Sequence, residues 1–245
     1  MSETEKDKAL YEWARAYRDF DLTAWERLPD IELYMDQLIN YLGRILKLQE
    51  KSEDSPLLTA SMVNNYVKGG YIERPRQKKY DKGHIAALYM LCSSKQNLSV
   101  PDAAQLLTML SEYCPLSEIY TLFGERQREI AEELTEPLLS GGEMASNELL
   151  NMALDLTLRS SAERLVAERI LEQLSAQRSE ELLASEQKKE EEKRAEEAEK
   201  KAEEAEKKAE KARKKAEAER KEKEKKEADG ARAESASAEK EKKEG

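Results

Sequence analysis

From Ala184 to Gly245 the sequence contains no apolar residue larger than alanine. Nothing constrains the fold more. A segment without Leu, Ile, Val, Phe or Met cannot bury enough surface to offset the conformational entropy of joining a core. The packed part of the protein must therefore be built from residues 1–183. The final segment carries 21 Lys/Arg and 21 Asp/Glu, so it is electrically neutral. Within it AEEAEKK repeats every seven residues, placing Ala195, Ala198, Ala202, Ala205, Ala209, Ala212 and Ala216 at alternating steps of three and four. That spacing has coiled-coil form, but alanine buries little area at such a seam. Glu196 with Lys200, Glu197 with Lys201, Glu203 with Lys207 and Glu204 with Lys208 form i, i+4 pairs worth ~0.2–0.5 kcal/mol each. The first expectation is a solitary, solvated helix, with disorder and a coiled coil as alternatives. Balanced charge makes this tail a weak ligand for DNA or membrane and leaves a protein partner as its use.

Residues 1–183 hold 21 Lys/Arg against 31 Asp/Glu, so they carry the whole net charge of -10. The two cysteines, Cys92 and Cys114, form no CxxC pair, and reduced thiols are expected. No apolar run approaches the ~18–20 residues needed to span a bilayer. The opening MSETEKDKALYEW is acidic and polar, unlike a signal peptide. A cytoplasmic protein that does not engage membrane is expected.

Apolar spacing in this part is helical almost throughout. A short helix over 6–20 runs through Leu10, Trp13, Ala14 and Tyr17. A clearer one covers 31–50, where Ile31, Tyr34, Met35, Leu38, Tyr41, Leu42 and Ile45 share a stripe. KSEDSP is a polar loop ending at Pro56. Thr59 or Ser61 can cap a helix over roughly 60–68, which Gly69 and Gly70 end. Tyr71 and Ile72 are briefly extended, and RPRQKKY is an exposed turn or short hairpin. A further helix covers about 81–94, with Ile85, Leu88, Tyr89 and Cys92 on one face. Ser99, Pro101 and Asp102 start another, a third spans 117–139 before Gly141 and Gly142, and a long one begins near Ala145.

Residues 57–84 run against the charge of their surroundings. Lys68, Arg74, Arg76, Lys78, Lys79 and Lys82 face only Glu73 and Asp81. Short helix, tight turn, second helix and basic hairpin follow the logic of a winged helix-turn-helix. A recognition helix needs an apolar inner face and a polar outer one. Met62, Val63, Tyr66 and Val67 supply the inner face, and Ser61, Asn64, Asn65 and Lys68 the outer. Asparagine offers adenine a donor and an acceptor together. Arg74, Arg76, Lys78 and Lys79 lie where a hairpin could hold phosphates.

The runs LPDIELYMDQLINYL, LTASMVNNYVKGGYIERPRQKKYDKGHIAALYML and KQNLSV resemble a bacterial family named domain of unknown function 1836, over roughly residues 25–130. The same stretch is more distantly similar to the DNA-binding domain of the MerR family. There a helix ends in a Tyr-Tyr pair, followed by a Gly-Leu turn, a proline and a wing with Arg-x-Tyr. Asn65-Tyr66 falls on the tyrosine pair, Gly70-Tyr71 on the turn, Pro75 on the proline and Lys78-Lys79-Tyr80 on the wing motif. The sequence departs from that pattern at Asn64, where an arginine is usual, and in having the 31–50 helix in place of the preceding helix-turn. The resemblance implies a fold and a DNA-facing surface, and in MerR-like proteins a long helix behind the wing makes an antiparallel dimer.

No enzyme signature is present. Ser61 lacks a His/Asp partner set, no GxxxxGK[ST] or GxGxxG occurs, and His84 is the only histidine. One imidazole cannot build a zinc site, so His84 is a cap or packing residue and no metal or cofactor is expected. The expected fold is all-α with a small β-wing. Its segments are an extension at 1–24, a MerR-like winged helix at 25–100, a helical region for dimerisation at 101–183 and the tail at 184–245. The expected function is sequence-specific binding of double-stranded DNA by a transcriptional regulator. Ser61, Asn64 and Asn65 would read bases, while Thr59, Tyr66, Lys68, Arg74, Arg76, Lys78, Lys79 and Tyr80 would complete the contact surface. The alternative is a helical adaptor that binds protein through its winged helix and tail.

Overall fold

The computed structural model describes residues 3–50, 55–141 and 144–241. Loop residues 51–54, and Gly142 at the expected end of a helix, lie outside them. The chain divides into two compact units, Met1–Leu174 and Ser175–Gly245.

The first unit contains α1 (Glu3–Arg18), α2 (Met35–Leu46), α3 (Ala60–Lys68), α4 (Lys82–Ser94), α5 (Val100–Leu110), α6 (Leu116–Ser140) and the first part of α7 (Ser146–Glu241). No named strand occurs among the described residues; two isolated antiparallel bridges join Leu33 to Tyr80 and Arg76 to Lys79.

Helix α4 is the hub, touching α2, α5 and α6. Eight of its residues are buried, His84 through Ala86 and Leu88 through Cys92. The one-sided stripe expected for it is thus an all-round apolar surface, as a helix enclosed by neighbours requires. Tyr89 at its centre packs edge-on against Tyr120 and Phe123 of α6, with ring centroids 6.3 and 6.1 Å apart.

Helix α2 begins four residues later than its apolar stripe suggests. Ile31 and Tyr34 are exposed, and the buried positions are Leu38, Leu42 and Leu46. Residues 31–34 stay out of the helix because Leu33 exchanges two backbone hydrogen bonds with Tyr80, each 2.8 Å. The Gln37 side chain accepts the Tyr34 N–H at 2.9 Å and fixes the helix start.

Helix α1 packs along α6, so residues 1–24 and 101–174 belong to the same compact unit as 25–100. The connection is specific. Tyr120 donates to the Thr23 carbonyl at 3.0 Å and meets Trp25 edge-on at 6.0 Å. A Cβ at Gly124 would come within 3.2 Å of Leu22, so the small residue permits this approach.

The second unit is helical through Glu241. Residues 184–201 are all exposed. Lys200–Glu196, Lys207–Glu203 and Lys208–Glu204 form the expected i, i+4 pairs. Of the seam alanines, Ala195 and Ala198 are exposed, whereas the side chains at 202, 205, 209, 212 and 216 lie outside the described ones.

Candidate nucleic-acid interface

The sequence of α3 sorts into two faces, and its burial follows them. Val63 and Tyr66 are buried, Met62 and Val67 are half-buried, and Ser61, Asn64, Asn65 and Lys68 are exposed. Thr59 is the cap: its Oγ1 accepts the Met62 N–H at 3.2 Å. The chain leaves the helix through Gly69 and through Gly70 at φ +76°, a left-handed conformation that glycine adopts without strain. The Tyr71 N–H then donates to the Tyr66 carbonyl at 2.9 Å and closes the turn.

Next comes the basic loop. Lys79 N–H donates to the Arg76 carbonyl at 2.9 Å, and Gln77 and Lys78 have φ of 50° and 62°. Two successive positive φ values define the mirror-image turn that suits right-twisted hairpins. The Leu33–Tyr80 bond pair ties this loop to the segment before α2.

The loop's cations have different fates. Lys79 lies 3.9 Å from Glu32 and over the Tyr34 ring, and Lys82 lies 2.6 Å from Asp30 and over Trp25. Both are partly neutralised on the scaffold. Lys68, Arg74, Arg76 and Lys78 are exposed and form no ion pair among the described residues. A localised positive strip therefore follows the polar face of α3 in sequence, within an acidic protein.

Tyr66 and Tyr80 are placed in the core, at 7% and 3% exposure. The Tyr66 hydroxyl accepts from Lys95 Nζ at 3.0 Å, and the same ammonium donates to the Leu57 carbonyl and sits 3.7 Å from Met62 Sδ. Lys95, at the C-cap of α4, thus fastens α3 to the hub. Nothing in its local pattern marked it out; only the packing brings it to α3. Lys95→Met keeps the apolar stem and removes the donor. It is expected to lower stability by about 1–3 kcal/mol, read from the urea midpoint, by leaving the Leu57 carbonyl and Tyr66 hydroxyl unpaired.

His84 serves as part of a cap. Asp81 Oδ1 accepts the His84 N–H at 3.1 Å and stands 2.7 Å from its Nδ1. The imidazole lies edge-on to Tyr80, with centroids 5.4 Å apart, which locks the loop's last residue to the start of α4. Burial raises the Asp81 carboxyl, but hydrogen bonds from His84 and Gly83 outweigh it and hold the group below its ordinary value. A depressed carboxyl contributes stability above its unfolded pKa and loses it as pH falls through the folded one. Asp81→Ala should cost about 1 kcal/mol at neutral pH. The difference from the parent protein should shrink as pH is lowered below about 4, measured by urea unfolding at stepped pH.

Cys92 is buried and Cys114 half-buried, both unpaired. Burial pushes the Cys92 thiol up to about 11, against a smaller opposing effect of Lys95, so it is a neutral packing group at pH 7. No cluster of three or more His, Cys, Asp or Glu suited to a metal occurs among the described residues, and no described helix is long and apolar enough to cross a membrane.

Residues 23–123 match the model of a family described as Domain of unknown function (DUF1836). The match covers α2 to α5, the first residues of α6 and the whole basic loop, and so supports the resemblance carried by these motifs. No curated protein and no solved structure matches the chain.

Proposed function

We propose that residues 25–100 act as a MerR-like winged helix that binds double-stranded DNA with sequence preference, in a transcriptional regulator. The observation that carries this reading is the division of α3. Its exposed face holds Ser61, Asn64, Asn65 and Lys68, and the chain then passes through a tight turn to Arg74, Arg76 and Lys78, which form no ion pair among the described residues. Asn64 and Asn65 have the donor–acceptor pairs to read base edges, and the loop cations supply sequence-independent attraction to phosphates. Here the bridged loop 76–79 is the wing, with Thr59 and the buried Tyr66 and Tyr80 holding the surface in place.

The test is recovery of host genomic fragments by the full chain at about 50 and 200 mM salt. Enrichment of a few fragments that persists at the higher salt is expected. Binding without enrichment would leave electrostatics alone, and no binding would remove the proposal. Asn64→Ala should relax the preference among the enriched fragments while total binding at low salt stays close to that of the parent.

A second reading, protein association, is favoured by α7. Leu150, Leu154, Leu158, Leu165, Val166 and Ile170 are all more than half exposed. Exposed apolar residues in such number mark an interaction surface. On the regulator reading this surface joins two copies, and on the adaptor reading it takes another protein. Light scattering should give a dimer mass for the parent chain and a monomer mass for Leu154→Glu/Leu158→Glu. A monomeric parent would favour the adaptor.

A further inference from the structure

We infer that the open cleft among α1, α4, α6 and α7 of the first unit, completed by residues 48–49 and 96–97, is a binding site for a small, uncharged, planar molecule with an amide-like edge. The cleft has a volume of about 450 Å³, within the range of small-molecule sites. In a chain that is 38% charged, none of its lining residues is charged. Other cavities differ. The one beside Asp21 and Arg128 is about 230 Å³ and is crossed by a 3.6 Å ion pair between those residues. The groove at Leu165–Leu174 is one face of a single helix.

The lining has two chemistries. Trp13 and Tyr17 stack at 5.2 Å with planes 10° apart, and with Leu138 and Met152 they form an apolar wall. Trp13 lines the cleft and remains 46% exposed, a large aromatic surface not covered by the protein. The other wall is a directed chain of amides. Gln96 Nε2 donates to Gln49 Oε1 at 3.0 Å, and Gln49 Nε2 donates to the Tyr89 hydroxyl at 3.2 Å. The Tyr89 hydroxyl in turn donates to Gln127 Oε1 at 2.7 Å. Each bond fixes the orientation of the next group. The chain therefore presents a carbonyl with unspent acceptor capacity at Gln96 and an NH₂ at Gln127 that makes no bond among the described residues. An aromatic ring against Trp13 and an amide edge against these glutamines would satisfy both walls. A carboxylate would be desolvated with no cation to meet it.

Indole-3-carboxamide and its charged isostere indole-3-carboxylate test this directly by isothermal titration of the full chain. The carboxamide is expected to bind saturably, one per chain, with Kd below about 1 mM. The carboxylate is expected to bind at least ten-fold more weakly. Met152→Trp, which fills the cleft, and Gln127→Leu, which removes the NH₂, should each weaken the carboxamide at least ten-fold while the circular dichroism spectrum is retained. Absence of saturable binding, equal affinity for the carboxylate, or unchanged binding by both folded variants would overturn the assignment.

Discussion

Replacing Arg74 and Arg76 by alanine and Lys78 by glycine will weaken binding to every DNA about 100-fold at roughly 0.15 M salt, and will flatten the log–log salt slope by about 3. The number follows from counterion release: each neutralised phosphate contributes about 0.9 to the slope, and three cations are removed. Glycine is the right choice at 78 because φ there is 62°, where glycine relieves strain. Thermal stability should hold or rise, which separates lost charge from lost fold. Lys79 is left in place because Glu32 and the Tyr34 ring already share its charge. Titration of labelled duplexes at several salt concentrations reads both quantities. An unchanged slope would mean that these cations do not meet phosphate, and the winged-helix proposal would fall.

Leu88→Ala is expected to destabilise the first unit by about 3 kcal/mol, at the level of the usual cost of a cavity in a packed core. Leu88 has no exposed surface, and α4 is enclosed by α2, α5 and α6, so the site cannot collapse easily. The loss should appear as a lower urea midpoint for residues 1–174, with the helical signal of the second unit retained. A control in the same unit is Tyr113→Ala, since Tyr113 is 86% exposed. Its removal should change stability little, within about 0.5 kcal/mol. If Leu88→Ala were equally mild, α4 would not be the hub.

Much of this organisation is legible along the chain. The faces of α3 can be read because Val63, Tyr66 and the exposed asparagines differ sharply in polarity, and the helical period converts that difference into two sides. Its ends can be read because Thr59 caps and Gly70 turns through local backbone chemistry alone. Helix α2 shows where such reading stops. Ile31 and Tyr34 continue an apolar stripe, yet Leu33 is drawn into a backbone bridge with Tyr80, 47 positions later in sequence, and residues 31–34 stay out of the helix. No local pattern can report a hydrogen bond between segments so far apart. The same holds for the site's charges. Six cations are visible between Lys68 and Lys82, but Glu32 and Asp30 reach back from before α2 to engage two of them.

By itself the sequence determined that the protein is helical, that the segment after 184 has no apolar side chain larger than alanine to bring to a core, and that one polar helix is followed by a basic turn. Those are consequences of side-chain size, period and backbone preference, all local quantities. The tertiary structure alone decided that α4 is buried on every side, that Lys95 fastens α3, that Lys79 and Lys82 pair with Glu32 and Asp30, and that an uncharged cleft lies among α1, α4, α6 and α7. Each depends on which distant groups share a desolvated space, where burial makes pairing obligatory, and proximity in space is the one thing that a linear pattern does not carry.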